Sequence, residues 1–153
     1  MVHTTVWGIG NPLLKDDAAG LEIIRQLSLM EPRGFSLRSC ELAPANYLAT
    51  LKRERPLRFY LADAADMGLT PGNLRRFPLE RIADPSLTSH DLPLNLLLET
   101  VLESGTRSWV VAVQPEDTGF GTELSPCVAA AVQKAARLIA EGRAEDIPEL
   151  EEA

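Results

Sequence analysis

The sequence predicts an α/β fold with a mostly parallel sheet covered by helices on both faces. Three observations predict it. Short β-branched or apolar runs alternate with helical patterns along the whole chain, turn residues separate them, and two of the runs, residues 4–9 and 108–113, carry no charge at all. Uncharged runs of that length suit strands covered on both sides, and strict strand–helix alternation makes them parallel. The chain has 153 residues, enough for one domain that buries roughly two thirds of the surface its unfolded chain exposes.

Residues 4–9, TTVWGI, read as a buried strand that ends in glycine-rich sequence. A helical pattern begins at Asp17, with Gly20, Leu21, Ile24 and Leu27 on one face, and Pro32 and Gly34 end it. Residues 35–42, FSLRSCEL, alternate and read as an edge strand. Residues 44–55, PANYLATLKRER, open with a proline suited to a first helical turn. Residues 57–64, LRFYLADA, read as a central strand. GLTPGN at 68–73 is turn chemistry, and LRRF follows as a short strand. Residues 91–105 read as a helix with Pro93 in its first turn and Gly105 past its end. Residues 108–113, SWVVAV, are a buried strand, and residues 125–142 a long alanine-rich helix. The last residues, 143–153, are acidic and contain Pro148. The expectation is a frayed tail outside a single domain of residues 1–142.

The net charge is −7, from 15 basic and 22 acidic side chains, and no basic run exceeds KRER at 52–55. Neither nucleic acid nor an anionic membrane is an expected partner. Cys40 and Cys127 stand alone, with no C-x-x-C to suggest a zinc knuckle or a redox pair. The first residues lack the basic-then-apolar order of a signal peptide, and the longest apolar run, WVVAV, is far shorter than a bilayer span. The expectation is a cytoplasmic protein with reduced thiols.

Ligands of open α/β sheets bind outside the carboxyl ends of the strands. Four polar segments fall on that edge: Asn11 to Asp17 after the first strand, Asp63 at the end of FYLAD, Thr88 to Asp91 before the third helix, and Gln114-Pro115-Glu116 after VVAV. Each has an ordinary reading. Asp16 and Asp17 could cap a helix and offset its dipole. Successive helical residues point about 100° apart, so one could cap while the other faces the cleft. Asp63 alone could bond loop amides, His90 alone reads as a solvated loop residue, and Gln114 alone as a loop-fixing one. Together, two carboxylates and an imidazole suit a borderline divalent ion such as nickel or zinc, or acid–base chemistry. Rival motifs fail. After Gly8 and Gly10 the third glycine of a dinucleotide fingerprint is replaced by Leu13, and no G-K-[ST], G-x-S-x-G or H-E-x-x-H occurs.

GIGNPLLKDDAAG, residues 8–20, resembles the G-[IV]-G-N-x-x-x-x-D-[DE]-x-x-G opening of the endopeptidases that mature nickel–iron hydrogenases. ADAADMGLTPGNLR, TSHDLPLNLLLE and VQPEDTGFG agree in order and spacing, so the resemblance runs over about residues 4–140 and looks closest to the formate-hydrogenlyase-type branch. It implies a three-layer α/β/α fold with a twisted, mostly parallel five-stranded sheet. It implies removal of a C-terminal extension from the hydrogenase large-subunit precursor, after the histidine or arginine of D-P-C-x-x-C-x-x-[HR] and only once nickel has entered. By resemblance the metal-contacting positions are Asp17, Asp63 and His90, which are also the catalytic candidates, with Asp16 the alternative should the loop register differ by one. Asn11 and Gln114 are candidate substrate contacts. No resident cofactor is implied; the nickel belongs to the substrate. The alternative is a checkpoint module that binds the metallated precursor without cutting it. Where many relatives carry D-G-G or D-x-G-T, this chain has Cys40-Glu41-Leu42-Ala43.

Overall fold

Five strands form one sheet in the order β2-β1-β3-β5-β4. They are β1 (Thr4–Ile9), β2 (Phe35–Glu41), β3 (Arg58–Ala64), β4 (Leu74–Pro78) and β5 (Arg107–Val113). The structure is a computed structural model and describes residues 3–83 and 94–152. β1 pairs in parallel with β2 and β3, and β3 with β5, while β4 runs antiparallel at the edge. The expected edge and central strands, residues 35–42 and 57–64, take those places.

Period-two alternation sends side chains to two different cores. Val6, Tyr60, Ala62, Val111 and Val113 meet α1 (Ala19–Met30) and α4 (Pro126–Ala140) on one face. Trp7, Ile9, Phe59, Leu61, Phe77 and Val110 meet α2 (Leu48–Glu54) and α3 (Asn95–Ser104) on the other. Trp7 anchors the second core with its ring edge-on to Phe59, 5.3 Å between centroids. Each fully buried apolar side chain of this size contributes about 1.5–3 kcal/mol.

Three local expectations change. The first helix starts at Ala19 after a 3-10 turn over Lys15–Ala18, because Lys15 takes a left-handed conformation, φ 43°, that no α-helix can contain. Its inner face is Ala19, Gly20, Ile23, Ile24 and Leu27, with Leu21 only half-buried. Residues 44–55 divide into a 3-10 turn over Pro44–Tyr47 and α2. Residues 91–93, the expected first turn of the third helix, lie outside the described residues; the helix closes at Gly105 in the left-handed region, as its glycine allows.

The tail is not frayed. A short 3-10 turn, Ala144–Asp146, leads to Ile147, which is fully buried against the α1–α4 core. The chain then runs beside β4, where Arg76 N–H donates to Pro148 O at 2.9 Å and Leu150 N–H donates to Arg76 O at 2.8 Å. Arg76 Nε and Arg81 Nη1 donate to the carbonyls of Ile147 and Leu150. Two apolar residues three apart outweigh the acidic composition that suggested disorder. Among the described residues no helix is long and apolar enough to cross a membrane.

Candidate functional site

The glycines of the first loop let the chain close on itself at the carboxyl edge. Gly10 has φ 147°, and a Cβ there would overlap the carbonyl of Asp17. A Cβ on Gly20 would overlap the carbonyls of Ala62 and Ile9, so only glycine lets the first turn of α1 lie this close to β1 and β3. Asn11 Oδ1 accepts from Leu13 N–H at 2.9 Å and shapes the turn. The Asn11 side chain, a candidate substrate contact in sequence, thus ties the loop through its carbonyl oxygen. Its backbone N–H donates to Asp17 Oδ2 at 2.9 Å.

The two adjacent carboxylates have separate surroundings. Asp16 is fully buried and accepts four hydrogen bonds from the far loop: Glu116 and Asp117 N–H on Oδ2, Ser125 N–H on Oδ1, and the Ser125 hydroxyl on Oδ2, all at 2.7–2.9 Å. Burial pushes its pKa up, but the amides of Ser125 and Asp117, the Ser125 hydroxyl and the Glu116 amide outweigh it and hold the carboxyl below the usual range. Asp16 is thus an ionised fastener between the first loop and the start of α4. The same loops are zipped by Lys15 N–H to Gly121 O, Gly121 N–H to Leu13 O, and the Lys15–Asp117 pair at 2.8 Å.

Asp17 lines a cleft of about 300 Å³ together with Ala64, Asp66, Gln114, Pro115, Glu116 and Thr118. Three carboxylates and no basic side chain face this space, so it attracts cations. Asp63 is buried at the carboxyl end of β3, one residue before the cleft-lining Ala64, and is not itself in the cleft wall. Strand alternation places it on the Phe59 and Leu61 face, where Leu94 at the entrance to α3 is also buried. His90 lies outside the described residues. Among the described residues no group of three His, Cys, Asp or Glu side chains could hold a metal ion.

Gln114 spends its side-chain carbonyl on Met67 and Leu69 N–H, at 2.7 and 3.3 Å, and its amide on Asp66 Oδ1 at 3.2 Å. It therefore builds the cleft wall by fixing the 66–69 loop. Sequence reasoning did not single out Asp66, and it took Glu116 only as part of the polar segment after VVAV and Thr118 only within a motif. The motif VQPEDTGFG contains the last two, but their type alone carries no signal. Phe120, on the same loop, is 85% exposed beside Leu13, 55% exposed. Two large apolar side chains thus stand on a hydrogen-bonded rim beside an acidic cleft.

A family model described as hydrogenase maturation protease matches residues 42–142, which begins beyond the Gly8–Gly20 loop. The hydrogenase 3 maturation protease of Escherichia coli (strain K12) is 30% identical over 113 residues, 73% of this chain and 72% of its own. A crystal structure of a hydrogenase 3 maturation protease matches with a TM-score of 0.86 at 26% identity, over 99% of this chain and 98% of that one. The solution structure of an E. coli endopeptidase of this type matches with a TM-score of 0.82 at 25% identity, over 98% and 97%.

Proposed function

We propose, since this chain belongs to the hydrogenase maturation protease family, that it removes the C-terminal extension from the nickel-loaded large-subunit precursor of a nickel–iron hydrogenase. The observation that carries this reading is the separation of roles between Asp16 and Asp17. One carboxylate is consumed in fastening two loops; its neighbour is delivered to an acidic cleft at the carboxyl edge of the sheet. Asp17 and Asp63 supply oxygen donors and His90 a nitrogen donor, a set suited to nickel held by the precursor. Nickel shared between enzyme and precursor fixes the scissile peptide against the cleft and polarises its carbonyl. Water then adds to that carbonyl, the C–N bond breaks, and the new amine takes the proton. Asp66 and Glu116 raise the cation affinity of the mouth, and Leu13 and Phe120 offer the precursor an apolar rim.

The test incubates purified protein with precursor carrying nickel and with precursor lacking it, and weighs the products. Loss of the extension from the nickel-loaded form alone is expected. Tight binding of that form without cleavage would favour the checkpoint reading. Equal cleavage of both forms would remove nickel from recognition.

A further inference from the structure

The amino edge of the sheet, opposite the acidic cleft, carries a second concavity of about 310 Å³. Its geometry follows from strand register. Arg58 and Arg107 are the first residues of β3 and β5 and pair directly across the ladder. Two residues on, Tyr60 and Trp109 pair in the same way and point to the same face. Arg76, from β4, lies over the Trp109 ring with its guanidinium carbon 4.3 Å from the centroid. Glu145, from the tail turn, closes one side. The result is an aromatic floor rimmed by three guanidiniums and one carboxylate, in a protein whose net charge is −7.

The three arginines are not equally occupied. Arg76 donates to the carbonyls of Ile147 and Glu145, at 2.9 and 3.5 Å, and so belongs partly to the tail. The side chains of Arg58 and Arg107 make no hydrogen bond or ion pair among the described residues. Two like charges side by side repel each other, and holding them together without an anion is unfavourable. Burial pushes the Tyr60 phenol up in pKa, against the opposing pull of Arg58, so the hydroxyl keeps its proton and can donate.

We propose that this cup binds a phosphate-type oxyanion, gripped by the guanidinium forks of Arg58 and Arg107 and backed by Arg76 and the Tyr60 hydroxyl. Planar forks match phosphate geometry and form charge-assisted bonds, which are stronger than neutral ones. The site is independent of the acidic cleft, because it lies on the other edge of the sheet and shares no residue with it.

The experiment titrates the full chain with inorganic phosphate and with phenyl phosphate, at ionic strength held constant with sodium chloride, by calorimetry and by melting temperature. Saturable binding is expected, together with a rise in melting temperature. The Arg58→Gln/Arg107→Gln variant should weaken it by about tenfold or more per guanidinium removed. Arg33→Gln, an exposed arginine elsewhere, should leave it unchanged. Tighter binding of phenyl phosphate would identify a phosphate monoester whose ring uses the aromatic floor; equal binding would identify free phosphate. Failure of both probes to saturate by about 10 mM, a concentration that fills even a site worth a few kcal/mol, overturns the proposal. So does unchanged binding in the double variant.

Discussion

Ser125 donates both its backbone N–H and its hydroxyl to the carboxylate of Asp16, each at 2.7 Å, across 109 residues of sequence. With the amides of Glu116 and Asp117 the carboxylate receives four donors. This cluster joins the first loop to the cap of α4 and sets the floor from which Asp17 is presented.

Asp16→Asn should therefore destabilise the fold, by about 2–4 kcal/mol at neutral pH, because an amide nitrogen replaces an acceptor among buried donors. The sign of the pH dependence follows from the lowered pKa. The carboxylate stabilises the fold fully above its unfolded value of about 4, and that stability is lost as pH falls through the lower folded value. Urea denaturation should show the two proteins converging as the pH is lowered below about 4. A constant gap between them at all pH values would show that ionisation of Asp16 has no part in stability.

Ile147→Ala should cost about 2–5 kcal/mol, because the side chain is fully buried beside α1 and α4. In a domain of this length that lowers the melting temperature by roughly 5–15 °C. Removal of residues 144–152 should lower it further, since Arg76 and Arg81 lose their carbonyl partners. A melting temperature within a degree or two of the parent would return the tail to the dispensable segment its composition suggests.

The sheet was legible because its signals are local and repeated. The uncharged run of β5, the alternation in β2 and the closing Gly105 each act through the nearest neighbours in sequence. The site was legible only in part. Asp16 and Asp17 allow a capping role in sequence, but neither side chain caps the turn at Lys15 or α1; Asp16 instead receives Ser125 across the fold and Asp17 lines the cleft, an outcome set by Ser125 and by a left-handed Lys15 that no local pattern announces. Gln114 had the character of a loop-fixing residue in sequence, and its bonds to Met67 and Leu69 are of that kind. The tail failed because composition reports average polarity, whereas Ile147 and Leu150 find partners on β4 that lie about seventy residues away (the Arg76–Ile147 separation is 71).

Glu41→Gly should stabilise the protein. Glu41 ends β2 with φ 52°, in the left-handed region, and its carbonyl accepts from Gly10 N–H at 3.0 Å at the bulge between β1 and β2. A side chain there costs about 1–2 kcal/mol, and glycine recovers that less the 0.5–1 kcal/mol it loses in chain entropy, roughly 0.5–1 kcal/mol net. The midpoint of urea unfolding should rise with an unchanged slope. A lower midpoint would mean that the Glu41 side chain makes a stabilising contact that outweighs its backbone strain.

Asp17→Asn separates function from folding most cleanly. The substitution keeps the shape of the side chain and an oxygen that can accept from Asn11 N–H, so the loop retains the bond that Asp17 Oδ2 makes at 2.9 Å. Stability should change by no more than about 1 kcal/mol, unlike the loss at Asp16. The negative charge, however, leaves the cleft, and with it the attraction for a metal carried by the precursor. Processing of nickel-loaded precursor should fall by a factor on the order of 10²–10⁴, the several kcal/mol expected when a charged ligand is lost. His90→Ala should fail in the same assay. His3→Ala should cleave normally, because His3 is exposed at the amino end of β1, on the far edge of the sheet. Near-parent processing by a folded Asp17→Asn protein would show that this carboxylate contributes nothing to the reaction, and the separation of roles between Asp16 and Asp17 would lose its functional meaning.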